Sequence, residues 1–529
     1  MIIRRKLPRA LGLNEPMRHT DHSRPVSRRD FLAQGFLTGA ATVMAPSLLG
    51  MMLNPRLASA LSADINPGNP STGGMCGIRD GAGKVPFIAF DLAGGANIAG
   101  SNVLVGGPGG QLDFLTTAGY SKLGLPGNMT PANSTTNFID TQLGLAFHSD
   151  SAFLRGILSM TTPATRALVN GAVIPALSQN DTANNMHNPM YGIAQTGSRG
   201  ALLTLVGSQS SESGGNSMAY MPGGMLDPTL RPTKISQPGD ATGLVDTGQL
   251  GTLLGSTSDT VKVMESIDRI SRDKLTVVEP KLSISTDDDT LRKQVECTYV
   301  KSADTTEKFG NPAVLDAAKD TNITAIFSGV GGIKADGEFS KTAAVSKLVI
   351  DGMAGAGTIE MGGFDYHVGD RMTGEGRDFR AGQCMGACLE YAARTGKPLM
   401  LYVFSDGSLN SNGMVDNSTG GRGKNVWTGD NQSTAAAFFL VLNPSGRPVL
   451  STAGGVAAAR HQQIGYFKPS GDVDPSSSPA ANAVNLLAET VILNYMGLHG
   501  QQGAFKTTFT SSGLSTAMID GLVSFNQIM

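Results

Sequence analysis

The chain has 529 residues, of which 40% are hydrophobic, 16% charged and 6% aromatic, with a formal net charge of −2; this length calls for one large or two medium domains. Gly (68) and Pro (26) stay below the share at which disorder becomes the default, so a loop-rich globular protein is expected. The first 60 residues carry nine Lys/Arg and three Asp/Glu, and the remaining 32 basic and 40 acidic residues leave the body at −8, which speaks against a nucleic-acid partner, since that needs a basic footprint.

Ser27-Arg28-Arg29-Asp30-Phe31-Leu32 places twin arginines before an apolar run from Phe31 to Leu53, followed by Ala58-Ser59-Ala60, a small-x-small cleavage site. Residues 1–60 are read as a Tat-type signal peptide, a route that exports folded proteins. The alternative is a membrane anchor, since about 20 apolar residues span a bilayer. Gln34, Gly35, Thr38, Gly39, Pro46 and Gly50 interrupt the run, and no later stretch exceeds Ala435 to Leu442. The mature protein is therefore expected in the periplasm or outside the cell, with the Tat machinery as an export partner and no stable membrane span after cleavage. Residues 61–84 read as a flexible leader and 85–529 as the folded domain.

Val85 to Leu92 is near-continuously apolar, as in a strand buried on both faces, and runs into Gly94-Gly95-Ala96-Asn97. Further strands are predicted at Ala172 to Leu177, Leu202 to Val206, Ala325 to Val330, Gly357 to Met361, Leu399 to Phe404 and Phe438 to Leu442. Helices are predicted at Leu143 to Leu158, Thr260 to Asp273, Lys341 to Met353, Phe379 to Arg394 and Ala480 to Leu498. The alternation predicts an α/β fold, a three-layer sandwich with a largely parallel central sheet. Ser208 to Ser217 reads as a surface loop. Residues 218–300 read as a helical insertion whose Asp287-Asp288-Asp289 is either a cation site or a solvated loop.

Four cysteines are too few for a disulfide scaffold. Cys384 and Cys388 fall on one helix face, as a metal pair or as buried small residues. Cys76 and Cys297 have the option of a long disulfide, which the sequence leaves open. His148, His461 and His499 stand alone and read as satisfied histidines.

Four segments carry chemistry-bearing side chains beside strands, where open α/β sheets place their sites. In Gly362-Gly363-Phe364-Asp365-Tyr366-His367, Asp365 and His367 lie two apart and emerge on one side of an extended segment. They suit either one divalent ion or a loop-closing hydrogen bond. Tyr402-Val403-Phe404-Ser405-Asp406-Gly407 presents a carboxylate, with Ser405 structural. The others are Asn184-Asn185-Met186-His187-Asn188 and Thr428-Gly429-Asp430-Asn431. No GxGxxG follows the first strand and no GxSxG elbow occurs. The nucleophile is unassigned, with Ser101 and Thr182 as hydroxyls near strand ends.

The order of these segments resembles the DUF1501 family, exported bacterial proteins related to the alkaline phosphatase and sulfatase superfamily. Phe90-Asp91-Leu92-Ala93-Gly94-Gly95-Ala96-Asn97 is similar to that family's apolar strand with Gly-Gly-Ala-Asp-Gly. Asn185-Met186-His187 is similar to its Ser-His-Phe, and Gly362 to His367 to its Gly-Gly-Trp-Asp-Thr-His. Val403 to Asp406 is similar to the strand before its Ser-Glu-Phe-Gly, and Gly429-Asp430-Asn431 to its Gly-Thr-Asp-His-Gly. The likeness covers Val85 to about Asn443, with 218–300 and the C-terminal tail poorly matched. It implies an alkaline phosphatase-like fold and a divalent metal (zinc, magnesium, calcium or manganese) held by Asp365, His367, Asp406 and Asp430. Asp91, Asn97, His187 and Asn431 would line the site. The chain departs from the pattern at Asn97 (for Asp), Asp406 (for Glu) and Asn431 (for His), each of which lowers the charge or reach of a ligand set.

The resemblance implies a metal-dependent hydrolase-like protein acting on phosphate or sulfate esters, active or degenerate. The rival is a non-catalytic binding or assembly protein of the cell envelope that keeps the fold but has lost the metal, with an envelope component in place of the small-molecule ester. A polysaccharide binder would need aromatic platforms, and Trp427 is the only tryptophan.

Overall fold

A computed structural model of the chain describes residues 83–131, 137–178, 187–208, 232–245, 257–277 and 311–529, with 297, 300, 303–306 and 309 between the last two spans. The signal segment, the leader up to residue 82, Cys76, Thr182, Asn184 to Met186, Asp287 to Asp289 and residues 209–217 of the predicted surface loop lie outside them.

Seven strands form one sheet: β1 (Phe87–Leu92), β2 (Val169–Pro175), β3 (Leu203–Gly207), β4 (Thr233–Lys234), β5 (Ala354–Met361), β6 (Leu399–Phe404) and β7 (Ala436–Leu442). Their order is β2-β7-β6-β1-β5-β3-β4. Six strands run parallel, and β7 runs antiparallel to both of its neighbours. Every residue of β1, β5, β6 and β7 is buried, as their unbroken apolar runs require of a sheet covered on both faces.

Period-two alternation sorts β1 between two cores. Ile88, Phe90 and Leu92 pack with α1 (Ala152–Met160), α2 (Gly337–Ile350) and α3 (Met372–Thr395). Phe87 and Ala89 face the other way, where α4 (Val484–Gly497) lies and the Tyr495 ring meets Phe87 edge-on at 5.9 Å. The helices thus cover both faces of an α/β fold. α1 and α3 approach so closely that a Cβ at Gly382 would stand 2.2 Å from Phe153 O, so glycine sets the spacing of that helix pair.

Two expectations need correction. Ala325 to Val330 is no strand: Thr321–Ser328 is a helix, because Asp320 caps it through Asn322 N and Ile323 N and because Ile323, Ile326 and Phe327 bury one side. Packing and capping override the β-branched composition. The helix predicted from Leu143 begins only at Ala152, where Ser151 Oγ accepts from Leu154 N; Phe147–His148 instead pairs antiparallel with Ile139–Asp140. Within the stretch assigned to an insertion, Thr233–Lys234 extends the main sheet and Ile235, Ala241 and Val245 join its core. The helix Thr257–Val277 lies where a helix was predicted.

Cys297 is disulfide-bonded. Cys384 and Cys388 are free and buried, and burial pushes the Cys384 thiol up to about 12 and Cys388 higher still. They are packing residues on the face of α3 that meets the core. Among the described residues no helix is long and apolar enough to cross a membrane.

Candidate metal centre

The loops after β1, β5 and β6 leave the same rim of the sheet, because these three strands are adjacent and parallel. Ala93 N donates to Met361 O at 3.0 Å and Phe364 N to Ala93 O at 3.1 Å, which ties the first two loops together. Gly94 has φ +122°, and a Cβ there would stand 2.8 Å from Asp365 N; only glycine lets these backbones touch. Because β7 runs antiparallel, its start reaches the same rim. Just before it, Gly429–Asp430 pairs antiparallel with Leu409–Asn410, which follows β6.

Three side chains meet at this rim. One ligand-type atom each from Asp365, His367 and Asp430 lies within 4.8 Å of the others. His367 Nε2 is 2.5 Å from Asp365 Oδ1 and 3.3 Å from Asp430 Oδ1. Side-chain exposures of 49% for Asp365, 34% for His367 and 64% for Asp430 leave the cluster open to solvent. A His–Asp pair closing a loop needs no second carboxylate from a distant chain segment. Two carboxylates and an imidazole converging with open positions match a catalytic metal site, which keeps about three protein ligands and leaves the rest of the coordination sphere to water or substrate.

Beneath the cluster, Tyr366 turns inward while its neighbours turn out. Its hydroxyl accepts from Asn97 N at 3.0 Å and donates to Asp378 Oδ1 at 2.9 Å. Asp378 Oδ2 accepts from Asn102 Nδ2 at 2.7 Å, and the same amide group donates to Asn97 O at 2.9 Å. Asn102 Oδ1 in turn accepts from Ser151 Oγ and Phe153 N at the start of α1. Burial pushes the Asp378 carboxyl up to about 7, and the bond from Asn102 opposes that rise. The residue between the two proposed ligands is thereby fastened to α3 and, through Asn102, to the start of α1.

The structure does not bring the fourth expected ligand into the cluster. Asp406 is buried, and its Oδ1 accepts from Gly94 N at 2.9 Å; its short side chain holds a turn. Asn97 is also buried, and its Oδ1 accepts from Ser101 Oγ at 3.1 Å. That bond also commits Ser101, one of the two hydroxyls near strand ends. Asn431 Oδ1 caps the following 3-10 turn through Ser433 N and Ser433 Oγ. His187 stacks on Phe404 at 5.9 Å, and burial brings it down to about 4, with Asp406 opposing. Asp91 lies within β1 on the α4 face, buried and close enough to Tyr402 to raise its hydroxyl further. Of the residues expected to line the site, none of these four supplies a fourth group to the cluster.

Ser405 holds the scaffold, its hydroxyl donating to Leu92 O and accepting from Ala96 N. His148 and His461 are buried, and both rings bond to backbone atoms, as does that of His499. Trp427 is buried with the Arg371 guanidinium 4.4 Å from its ring centre, so it is not an open aromatic platform. Sequence reasoning missed Tyr366 and Asp378. Tyr366 sits inside the strongest motif, but its inward direction depends on a helix whose approach no local pattern announces. Comparison with protein-family models, with curated proteins and with solved structures finds no match to this chain.

Proposed function

We propose that this is an exported, metal-dependent hydrolase-like protein of the alkaline phosphatase type, acting on phosphate or sulfate esters. The observation that carries the reading is the meeting of Asp365, His367 and Asp430 at the rim of a parallel sheet. The resemblance of the surrounding segments to the DUF1501 pattern supports it. Asp365, His367 and Asp430 are the residues that would hold the ion, and their net anionic character suits a divalent cation. Such an ion polarises an ester oxygen and offsets the charge that develops there. The chain's own part is to fix the ligands: Tyr366 pins the backbone between two of them, and Gly94 brings the β1 loop against Asp365.

The rival, a non-catalytic envelope protein, draws on one specific observation. Asp406 and Asn431 are bound up in turns, so only three ligand groups converge.

Elemental analysis of the mature protein, with assays on generic phosphate and sulfate esters, separates the two readings. His367→Ala is expected to lose bound metal and esterase activity together. Unchanged metal content in that variant refutes the ligand set, and wild-type protein with neither bound metal nor turnover of any ester leaves the envelope protein.

A further inference from the structure

Beside the cluster lies a cleft of about 470 Å³ between the start of α2, the turn after β5 and the first turns of α3. Its lining reaches Phe364, one residue before Asp365, and does not include the three clustered side chains themselves. The cleft therefore borders the turn that carries Asp365 and His367. Met361, Phe364 and Met372 give it an apolar side, and Met372 is 55% exposed there, a large hydrophobic group left in water.

The lining carries two acids and two bases, and three of these four side chains are held in ion pairs. Asp336 pairs with Arg380, and its other oxygen accepts from Glu338 N at 2.8 Å. Arg380 also covers the Phe339 ring at 4.9 Å. Glu338 is bound by Lys341 Nζ at 3.1 and 3.2 Å. That leaves Arg377. Its only hydrogen bond among the described residues is a 3.5 Å contact from Nη1 to Gly362 O, and it acts on Glu338 only at longer range. The guanidinium lies over Gly363, where a Cβ would come within 2.9 Å of Arg377 Cζ, so it rests against the turn that leads to Asp365. A guanidinium keeps its charge at all relevant pH and offers several donors in a planar fork that matches carboxylate, phosphate or sulfate.

From this arrangement we infer that the cleft is a subsite for the non-scissile part of the substrate, an apolar or aromatic frame carrying a second anionic group that Arg377 receives. The inference rests on the hydrolase reading for its place in the reaction, and it narrows the substrate class to esters whose alcohol portion is itself an anion. The apolar wall takes the frame, Arg377 takes the distal charge, and the ester group reaches past Phe364 to the clustered ligands.

The test uses the full mature protein, stripped of metal with chelator so that the clustered ligands contribute no metal-borne affinity. Calorimetric titration with 3-phenylpropionate and with its neutral counterpart 3-phenylpropanol measures what the charge adds. The carboxylate is expected to bind about 5- to 10-fold tighter, as one partly exposed charge-assisted pair allows, with the advantage shrinking at high salt. Arg377→Gln, a surface change, should remove that advantage. Equal binding of the two probes, no binding of either, or an advantage that survives in Arg377→Gln overturns the subsite. With metal restored, 4-carboxyphenyl phosphate should have a higher kcat/KM than phenyl phosphate, and Arg377→Gln should reduce that ratio. If charge discrimination is present in the stripped protein but no ester is turned over, the hydrolase reading falls and the anion site stands. Turnover of esters without charge discrimination overturns the anion site and leaves the hydrolase reading in place.

Discussion

Replacing Tyr366 with Phe removes one oxygen from a fully enclosed site and should cost more at alkaline than at acid pH. The hydroxyl accepts from Asn97 N and donates to Asp378, and Tyr366 is 1% exposed, so water does not replace it. At pH 5 the Asp378 carboxyl, pushed up to about 7 by burial, is neutral. The variant then loses two ordinary hydrogen bonds and leaves the Asn97 N–H unsatisfied, for about 2–3 kcal/mol in all. At pH 8 the wild-type carboxyl is ionised and the lost bond is charge-assisted. The variant limits that loss by keeping the carboxyl protonated, which costs about 1.4 kcal/mol for each pH unit above the wild-type value. The extra penalty at pH 8 is therefore bounded at about 1.4 kcal/mol. Urea unfolding of wild type and Tyr366→Phe at pH 5 and pH 8 measures both numbers. A penalty independent of pH, or one below about 1 kcal/mol at both values, refutes the role given to the Tyr366–Asp378 bond.

Other expectations follow from the same geometry. Across wild-type pH titrations, Asp378 makes its full contribution to stability below the unfolded carboxyl value near 3.8 and loses it as pH rises toward about 7; Asp378→Asn should flatten that slope, and an unchanged slope rejects the assignment. Asp406→Ala leaves Gly94 N–H unpaired and should cost about 1–3 kcal/mol while retaining bound metal, the reverse of His367→Ala; joint loss of metal and stability would return Asp406 to the ligand set. Alkylation at pH 8 followed by peptide mass mapping should leave Cys384 and Cys388 unmodified until denaturant is added, because burial suppresses both thiolates. Gly382→Ala places a methyl 2.2 Å from Phe153 O and should cost about 3 kcal/mol by forcing α1 away from α3; an unmoved unfolding midpoint would show that the helix pair is not tightly seated.

Legibility in the sequence follows the range of the interactions. The strands β1, β5, β6 and β7 are readable because burial on both faces leaves an unbroken apolar run, and Leu399–Phe404 matches its expected bounds to the residue. Thr321–Ser328 misleads because its apolar run fits either period, and the decision comes from the Asp320 cap and a neighbouring helix. Asp365 and His367 can be paired from their spacing alone, since two residues apart on extended backbone face one way. Asp430 joins them only because β7 runs antiparallel, a fact of sheet order that no window of sequence contains. Asp406 fails as a ligand for a similar reason: whether a carboxylate at a strand end points at a site or folds back on a loop depends on how close that loop comes, here Gly94 at 2.9 Å.

Three residues expected at the site, Asn97, Asp406 and Asn431, share a physical property: each is bound into the scaffold. Asn97 carries a bond from Ser101 and gives its own N–H to Tyr366, Asp406 holds Gly94, and Asn431 caps a turn. Asp365, His367 and Asp430 are instead left with solvent-facing oxygen and nitrogen atoms. A neutral amide oxygen accepts the bonds at Asn97 and Asn431 without the desolvation cost of a buried charge. These bonds give the rim rigidity beneath a set of three candidate ligands. A three-ligand centre of this kind should bind its ion more weakly and more reversibly than a fuller set, so ester turnover with metal supplied in excess, rather than metal retention after dialysis, is the measurement that weighs the hydrolase reading against the envelope protein most directly.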